Sequence, residues 1–406
     1  MTVNEHAGDA RRTAWMYLRR VVEASRADLV RLLWPDGDPT AAADVERVAG
    51  MIRVCDPALP PGLAKTTAPR AGADPNADRD WGNRNGWRLI TPDDDEWPTT
   101  RLLESFQAFP DLNGGGDVAA DGVRGRAARP FALWATGPAA LARVVDRSVA
   151  MVGTRSATAY GHRITRTMAG ELAVAGHTVV SGGAVGIDTA AHRGALAVDG
   201  MTVAVAANGP GEIYPRANED LFGRIARTGL VITEYPPHLR PARHRFLTRN
   251  RLVAALTRGT VLLAAGYRSG AVNTANWADA MLRPVMVLPG PVDSPDYVGC
   301  HKRLRDGAGI LVTRAADVRE VIEPLGAVDT DGQLRMEFGA SPVQQLSQDQ
   351  LAVFDSCGIV TDRGGTPDRI MAETGLGLPQ VIRIIGELEK AGLARRDGDR
   401  WIKTDR

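Results

Sequence analysis

Between residues 131 and 322 the chain repeats one pattern, a short apolar run followed by a longer stretch of helical character. The runs are Val149–Val152, Thr178–Ser181, Thr202–Ala206, Leu230–Thr233, Thr260–Ala264 and Val285–Leu288, and the stretches between them include Tyr160–Ala175, Thr189–Val198 and Asn218–Arg227. The runs lack the polar–apolar alternation of a strand with one wet face. Both faces must therefore be covered, and helices joining successive strands cover them. Such a chain folds as α/β with a parallel sheet, and its functional loops follow the carboxyl ends of the strands.

The flanks read differently. Residues 10–60 form a small helical module, with Trp15, Leu18 and Val22 on one face, then Leu29, Leu32 and Leu33, then Val45, Val48 and Ile52. It is either a packing domain or a helix-hairpin-helix-like nucleic-acid or oligomerisation module. Residues 61–86, rich in Pro, Gly, Ala and Asn, suit a linker. The α/β domain then spans 87–325, opening with a strand at Trp87–Thr91. Asp93–Glu96 reads as a solvated turn and 111–129 as an insertion. A second linker covers 326–345. Residues 346–406 hold helical stretches at Gln348–Ser356, Pro367–Thr374 and Leu378–Ala391, then a hairpin across Ala394–Lys403. Three helices and a hairpin describe a winged helix.

At 406 residues and 44% apolar content the chain has material for two or three domains. No apolar run approaches the roughly 18 residues of a membrane span, and no secretory pattern opens the sequence. Cys55, Cys300 and Cys357 lie too far apart for a zinc or disulfide framework. A soluble cytoplasmic protein without metal or membrane association is expected. The net charge is only +1, but from Tyr235 to Ala278 there is no acidic residue and there are seven arginines. A one-signed stretch in a balanced chain marks a local anion site.

The strand ends carry the chemistry. The first ends in Gly153-Thr154-Arg155 before a helix, where backbone N–H groups and a guanidinium meet an anion. There is no GxGxxG, and no acidic residue ends the next strand to hold a ribose, so a dinucleotide cofactor is disfavoured. The second ends in Ser181-Gly182-Gly183-Ala184-Val185-Gly186-Ile187-Asp188, a second phosphate cradle. Asp188 is read as a helix cap and His192 as a satisfied helix histidine. The fourth loop leads to Phe246-Leu247-Thr248-Arg249-Asn250-Arg251, a stacking ring beside phosphate-binding charge, the combination that grips single strands. The fifth strand leads into Ser269-Gly270, a further turn before a helix.

These residues, in this order, together with Ala191-His192-Arg193-Gly194-Ala195-Leu196, Ile213-Tyr214-Pro215, Glu234-Tyr235-Pro236-Pro237, Thr274-Ala275 and Pro289-Gly290-Pro291, resemble the DNA-processing protein A family, DprA or Smf, over about residues 130–320. The resemblance implies an extended Rossmann-like domain, with a small SAM-like helical domain before it and a C-terminal winged helix after it. It implies a homodimer that binds single-stranded DNA, protects it, and helps load the RecA recombinase in natural transformation, without catalytic residues or cofactor. It places Arg155, Phe246, Arg249, Asn250 and Arg251 in the DNA groove, and the strand-end residues Gly153, Thr154, Ser181, Gly182, Ser269 and Gly270 are expected to bind DNA with them. The chain departs from the family pattern at Gly183, at Ala264-Ala265 and at Ala271.

Two other functions compete. A nucleoside-monophosphate phosphoribohydrolase on a related fold needs a glutamate three residues after Thr274, where this chain has Trp277. A transcription regulator would act through residues 346–406, whose nine basic and ten acidic residues are a poor footprint for duplex DNA.

Overall fold

The computed structural model describes residues 3–23, 25–107, 128–324, 341–359 and 365–404, with side chains from residue 9 onward. Most of the expected insertion at 111–129 and of the linker at 326–345 lies outside the described residues. The chain divides into two compact units, Met1–Val328 and Asp329–Arg406. Among the described residues no helix is long and apolar enough to cross a membrane.

The first unit is built on a nine-stranded sheet in the order β1-β2-β6-β5-β4-β3-β7-β8-β9. Its strands are β1 (Trp87–Ile90), β2 (Leu133–Thr136), β3 (Ser148–Gly153), β4 (Thr178–Ser181), β5 (Thr202–Ala206), β6 (Leu230–Thr233), β7 (Thr260–Ala264), β8 (Val285–Val287) and β9 (Ile310–Leu311). From β6 across to β9 every pairing is parallel, while β1 and β2 are added antiparallel on the β6 side. Strands β4, β5, β6 and β7 are buried at every residue, as their unbroken apolar runs require. The parallel part starts mid-sheet at β3, winds outward through β4, β5 and β6, then crosses back to place β7 on the other side of β3. That reversal leaves a crevice beyond the carboxyl ends of β3 and β7, where open α/β sheets bind ligands. Strands β2 and β9 escaped the sequence reading. One joins antiparallel to both its neighbours, and the other is a two-residue exposed edge.

The amino-terminal helices α1 (Val3–Val21), α2 (Ala27–Leu33), α3 (Val45–Arg53) and α4 (Pro61–Thr67) bury Trp15, Leu18, Leu29, Val48 and Leu63 in a core that also takes in Leu89, Phe131 and Trp134 from the β1–β2 edge. The segment expected as a linker is helical: α4 is followed by α5 (Pro75–Asn85). Its prolines and glycines punctuate helices. Pro61 and Pro75 open them, the Asp74 carboxylate accepts the Asn76 N–H at 2.9 Å, and Gly86 ends α5 at φ 69°. Asp93–Glu96 is not merely solvated: Asp93 accepts from Arg11 at 2.8 Å, Asp94 from Arg12, and Glu96 from Arg88 at 2.6 Å.

Helices α6 (Thr99–Phe106), α7 (Leu141–Asp146), α8 (Ala159–Val174), α9 (Ile187–Leu196), α10 (Glu219–Thr228), α11 (Arg243–Ala255), α12 (Gly270–Ala280), α13 (Val298–Arg305) and α14 (Ala315–Ile322) complete this unit. The second unit contains α15 (Gln348–Ser356), α16 (Pro367–Thr374) and α17 (Leu378–Lys390), then the hairpin β10 (Ala394–Asp397) and β11 (Arg400–Lys403). Val381, Ile384, Ile385 and Leu388 of α17 are buried with Val353 and Ile370, as their spacing requires.

One buried carboxylate joins α1, β6 and α11. Glu234, just past β6, accepts Arg251 Nη2 on both oxygens, at 2.6 and 2.5 Å, and the Ser25 hydroxyl; Arg19 Nη1 stands 4.0 Å away. Arg19, Arg251 and Glu234 are all sequestered from solvent. Removing the acceptor leaves two guanidinium groups without their charge partner. Glu234→Ala is therefore expected to destabilise the protein by about 3–5 kcal/mol, read as a fall in the urea midpoint; an unchanged midpoint would show that the network contributes nothing.

Candidate nucleic-acid interface

The carboxyl ends of β3, β4 and β7 open into a groove of about 680 Å³, placed over the reversal of strand order. Its floor is set by close contacts between turns. Thr154 N–H donates to the Ala264 carbonyl at 2.7 Å, joining the ends of β3 and β7, and Ile187 N–H donates to the Thr154 carbonyl at 3.1 Å, tying in the start of α9. Gly186 makes that approach possible: its φ is 85°, and a β-carbon there would run into the Thr154 carbonyl oxygen. Ser269 caps α12 by accepting the Ala271 N–H at 3.2 Å.

Four of the seven arginines of the acid-free stretch lie in helix α11 rather than in a loop. Its first turns are exposed or half-buried and its second half is core. Phe246 faces the groove from the exposed end. Its ring lies 5.3 Å from that of Tyr214, and the Arg155 guanidinium carbon stands 5.3 Å from its centroid. Arg249, one turn further, is buried beneath the floor and donates from Nη1 to the Val205 carbonyl. It occupies the space a side chain at Gly182 would need, so the glycine and the arginine are two halves of one packing solution. Burial pulls the Arg249 guanidinium below its ordinary pKa, opposed by the Asp188 charge. Burial likewise pushes the Asp188 carboxyl up, opposed by Arg249 and the Ala184 N–H. Asn250 donates to the Gly270 carbonyl at 3.2 Å and so fixes the Ser269-Gly270 turn against α11.

Nine of the residues singled out in the sequence line this one groove: Gly153, Thr154, Arg155, Gly182, Phe246, Arg249, Asn250, Ser269 and Gly270. Ser181 and Arg251 do not. The Ser181 hydroxyl is buried and donates to the Met151 carbonyl at 2.7 Å, while Arg251 points the other way along α11 into the Glu234 network. His192 is a core residue. Thr202 Oγ1 donates to the Val179 carbonyl, so His192 Nδ1–H donates to Thr202 Oγ1 at 2.8 Å; burial holds the imidazole neutral, with a pKa lowered to about 3.

The sequence reading left Tyr214, Arg243, Tyr267 and Arg268 off the site, yet all four line the groove. The signal was present, an aromatic beside a proline or an arginine in a strand-end loop. The arginine stretch is also less one-signed in space than in sequence. Arg245 pairs with Glu23 at 2.7 Å, Arg251 with Glu234, and Arg258 with Asp146 at 3.6 Å. Arg155, Arg243 and Arg268 are exposed in the groove and have no carboxylate partner among the described residues. Two carboxylates, Asp188 and Asp296, share the lining.

A largely parallel α/β sheet with an arginine- and ring-lined groove at its switch point is a doubly wound arrangement. The model of the family described as DNA recombination-mediator protein A matches residues 88–323. A Mycobacterium tuberculosis (strain H37Rv) protein named as a DNA processing protein DprA is 45% identical over 393 residues, 96% of this chain and 93% of that one. Protein Smf of Escherichia coli K12 is 32% identical over 251 residues, 60% of this chain and 64% of that one. The solved structure of DNA processing protein A from Streptococcus pneumoniae superimposes with a TM-score of 0.59 at 26% identity, covering 77% of this chain and 99% of that one. The chain belongs to the DNA recombination-mediator protein A family.

The Gly182–Arg249 pairing makes a checkable energetic claim. Gly182→Ala is expected to cost about 1–3 kcal/mol through overpacking. Combining it with Arg249→Ala should recover part of that loss, because the second change vacates the contested space. Urea unfolding of the four proteins gives the coupling directly, and strict additivity would show that the two sites do not compete for space.

Proposed function

We propose that the groove binds single-stranded DNA without strong sequence preference and that the protein acts as a recombination mediator. The observation that carries this reading is the convergence of three guanidinium groups lacking carboxylate partners, Arg155, Arg243 and Arg268, with three rings, Tyr214, Phe246 and Tyr267, on one open concave surface. Arginines meet the phosphates, and rings meet unpaired bases, each stack worth about 1–3 kcal/mol. A duplex keeps its base faces stacked inside and offers the rings nothing. Gly153, Thr154, Gly182, Ser269 and Gly270 let the backbone approach the strand closely, while Arg249 and Asn250 support the floor.

The family membership supports a wider reading, in which a homodimer protects incoming DNA and helps load RecA in natural transformation. In that reading the chain is a DNA-binding protein rather than an enzyme: the position where a phosphoribohydrolase would carry its glutamate is Trp277, which is buried in the core. Within it, residues 10–60 are a SAM-like module, 87–325 the extended Rossmann-like DNA-binding domain and 346–406 a winged helix.

The test is a titration of the pure protein with single- and double-stranded oligonucleotides at two salt concentrations. Tighter single-strand binding at both is expected, and equal or tighter duplex binding overturns the reading. Arg155→Ala should weaken single-strand binding and flatten its logarithmic salt slope by about 0.7, the share of one phosphate. An unchanged affinity and slope in a folded variant would remove Arg155 from the groove.

The α17 surface supports a separate role for the carboxyl-terminal unit. Arg383 is paired with Glu387 at 2.7 Å, and Glu389 accepts the Trp401 indole N–H at 3.1 Å, so acidic groups stand where a duplex reader needs free cations. Deleting residues 340–406 is expected to leave single-strand affinity within a few fold, because each tenfold change needs about 1.4 kcal/mol. A hundredfold loss in a folded truncation would move the DNA site to this unit.

A further inference from the structure

A second cavity, of about 600 Å³, lies at the opposite end of the sheet from the groove. Its wall includes Asp146, Arg258 and Pro284, which lie next to the starts of β3, β7 and β8. Three arginines converge there, from α6, from the residues before β7 and from those before β8. They are held together through shared acceptors. Arg101 Nη1 and Arg283 Nη2 both donate to Glu104 Oε2, each at 3.1 Å. Arg101 Nη2 and Arg258 Nε both donate to the Asp146 carbonyl, at 3.0 and 2.6 Å. The cluster thus counts three guanidinium groups against two carboxylates, Glu104 and Asp146.

Those carboxylates are poor permanent partners. Their side chains are 47% and 70% exposed, while those of Arg101 and Arg283 are only 11% and 12% exposed. The cations are fixed in the protein and the anions stand at its surface, free to turn to water. Like charges gathered in a concavity with incomplete compensation raise the local affinity for an anion. Desolvation, with the neighbouring Arg283 and Arg258 charges, lowers the Arg101 pKa against the opposing Glu104 and Asp146 charges. Further donors line the same cavity. Thr99 and Thr100 open α6, and the Pro98 residue before them supplies no side-chain cap to the first-turn N–H groups. Val145, Val321 and Ile322 add apolar lining.

We propose that this cavity is a second ligand site, distinct from the groove, that binds a nucleotide by its phosphate group. The three guanidinium groups and the threonine hydroxyls hold the phosphate, displacing Glu104 and Asp146 toward solvent, and the nucleoside lies along the apolar lining. The phosphate belongs either to a free nucleotide or to the end of a strand.

The experiment is a calorimetric titration of the full chain carrying Arg155→Ala, which weakens the groove, with dAMP. Saturable binding is expected. Arg258→Gln added to that chain should weaken it by about tenfold or more, since a charge-assisted contact is lost. Arg258 is chosen because its side chain is the more exposed, at 31%; Arg283→Gln is the second variant and should act in the same direction. Deoxyadenosine, without the phosphate, should not bind. In the otherwise unaltered chain, Arg258→Gln should leave the affinity for a 5′-hydroxyl single strand unchanged, because that strand brings no terminal phosphate to this cavity. Competition by a 5′-phosphorylated oligonucleotide but not its 5′-hydroxyl twin assigns the strand end as the source, and its failure to compete assigns the free nucleotide. No saturable binding at millimolar dAMP, equal affinity in the folded Arg258→Gln chain, or equal binding of deoxyadenosine overturns the proposal.

Discussion

Glu234 sits where three parts of the first unit meet: the end of β6, the buried half of α11 and the turn after α1. A buried charge is tolerated only when it is paired and hydrogen-bonded, so the position of each element is conditional on the others. Arg251 can lie in the core because Glu234 receives it, and with Arg251 anchored, the exposed end of α11 carries Phe246 to the groove. Arg19 adds a second tie, its guanidinium carbon lying 4.4 Å from the Phe131 ring centroid. The groove is therefore aligned from behind, by a contact that no ligand touches.

The parallel sheet was legible because its strands are buried on both faces. Thr178–Ser181, Thr202–Ala206, Leu230–Thr233 and Thr260–Ala264 stand where their apolar runs end. The elements that were missed lack such a signature. Leu133–Thr136 runs antiparallel to both its neighbours, and Ile310–Leu311 pairs over only two residues. Residues 61–86 misled by composition, because the same prolines and glycines serve a linker and the boundaries of short helices.

Much of the candidate site was legible for a related reason. Glycine at a strand end announces close backbone approach, and most of the turns so marked converge on one groove. Which arginine faces ligand and which faces core could not be read from adjacency. Arg249 and Arg251 are two residues apart on a helix and therefore point in different directions. Tyr214 and Tyr267 were passed over because a lone loop tyrosine has no period to mark it, and only the folded sheet brings both into the groove that Phe246 lines.

Pairing across long sequence distances has an electrostatic corollary. Glu23, at the end of α1, neutralises Arg245, and Glu234 neutralises Arg251. These carboxylates behave as covalently tethered counterions. A mobile ion condensed near a basic surface leaves when a polyanion arrives, and its gain in entropy drives binding; a tethered one has nowhere to go. In the proposed reading, the part of the groove's affinity that salt can erode is accordingly set by the guanidinium groups with no fixed anion beside them, and the total arginine content of the segment is a poor measure of it.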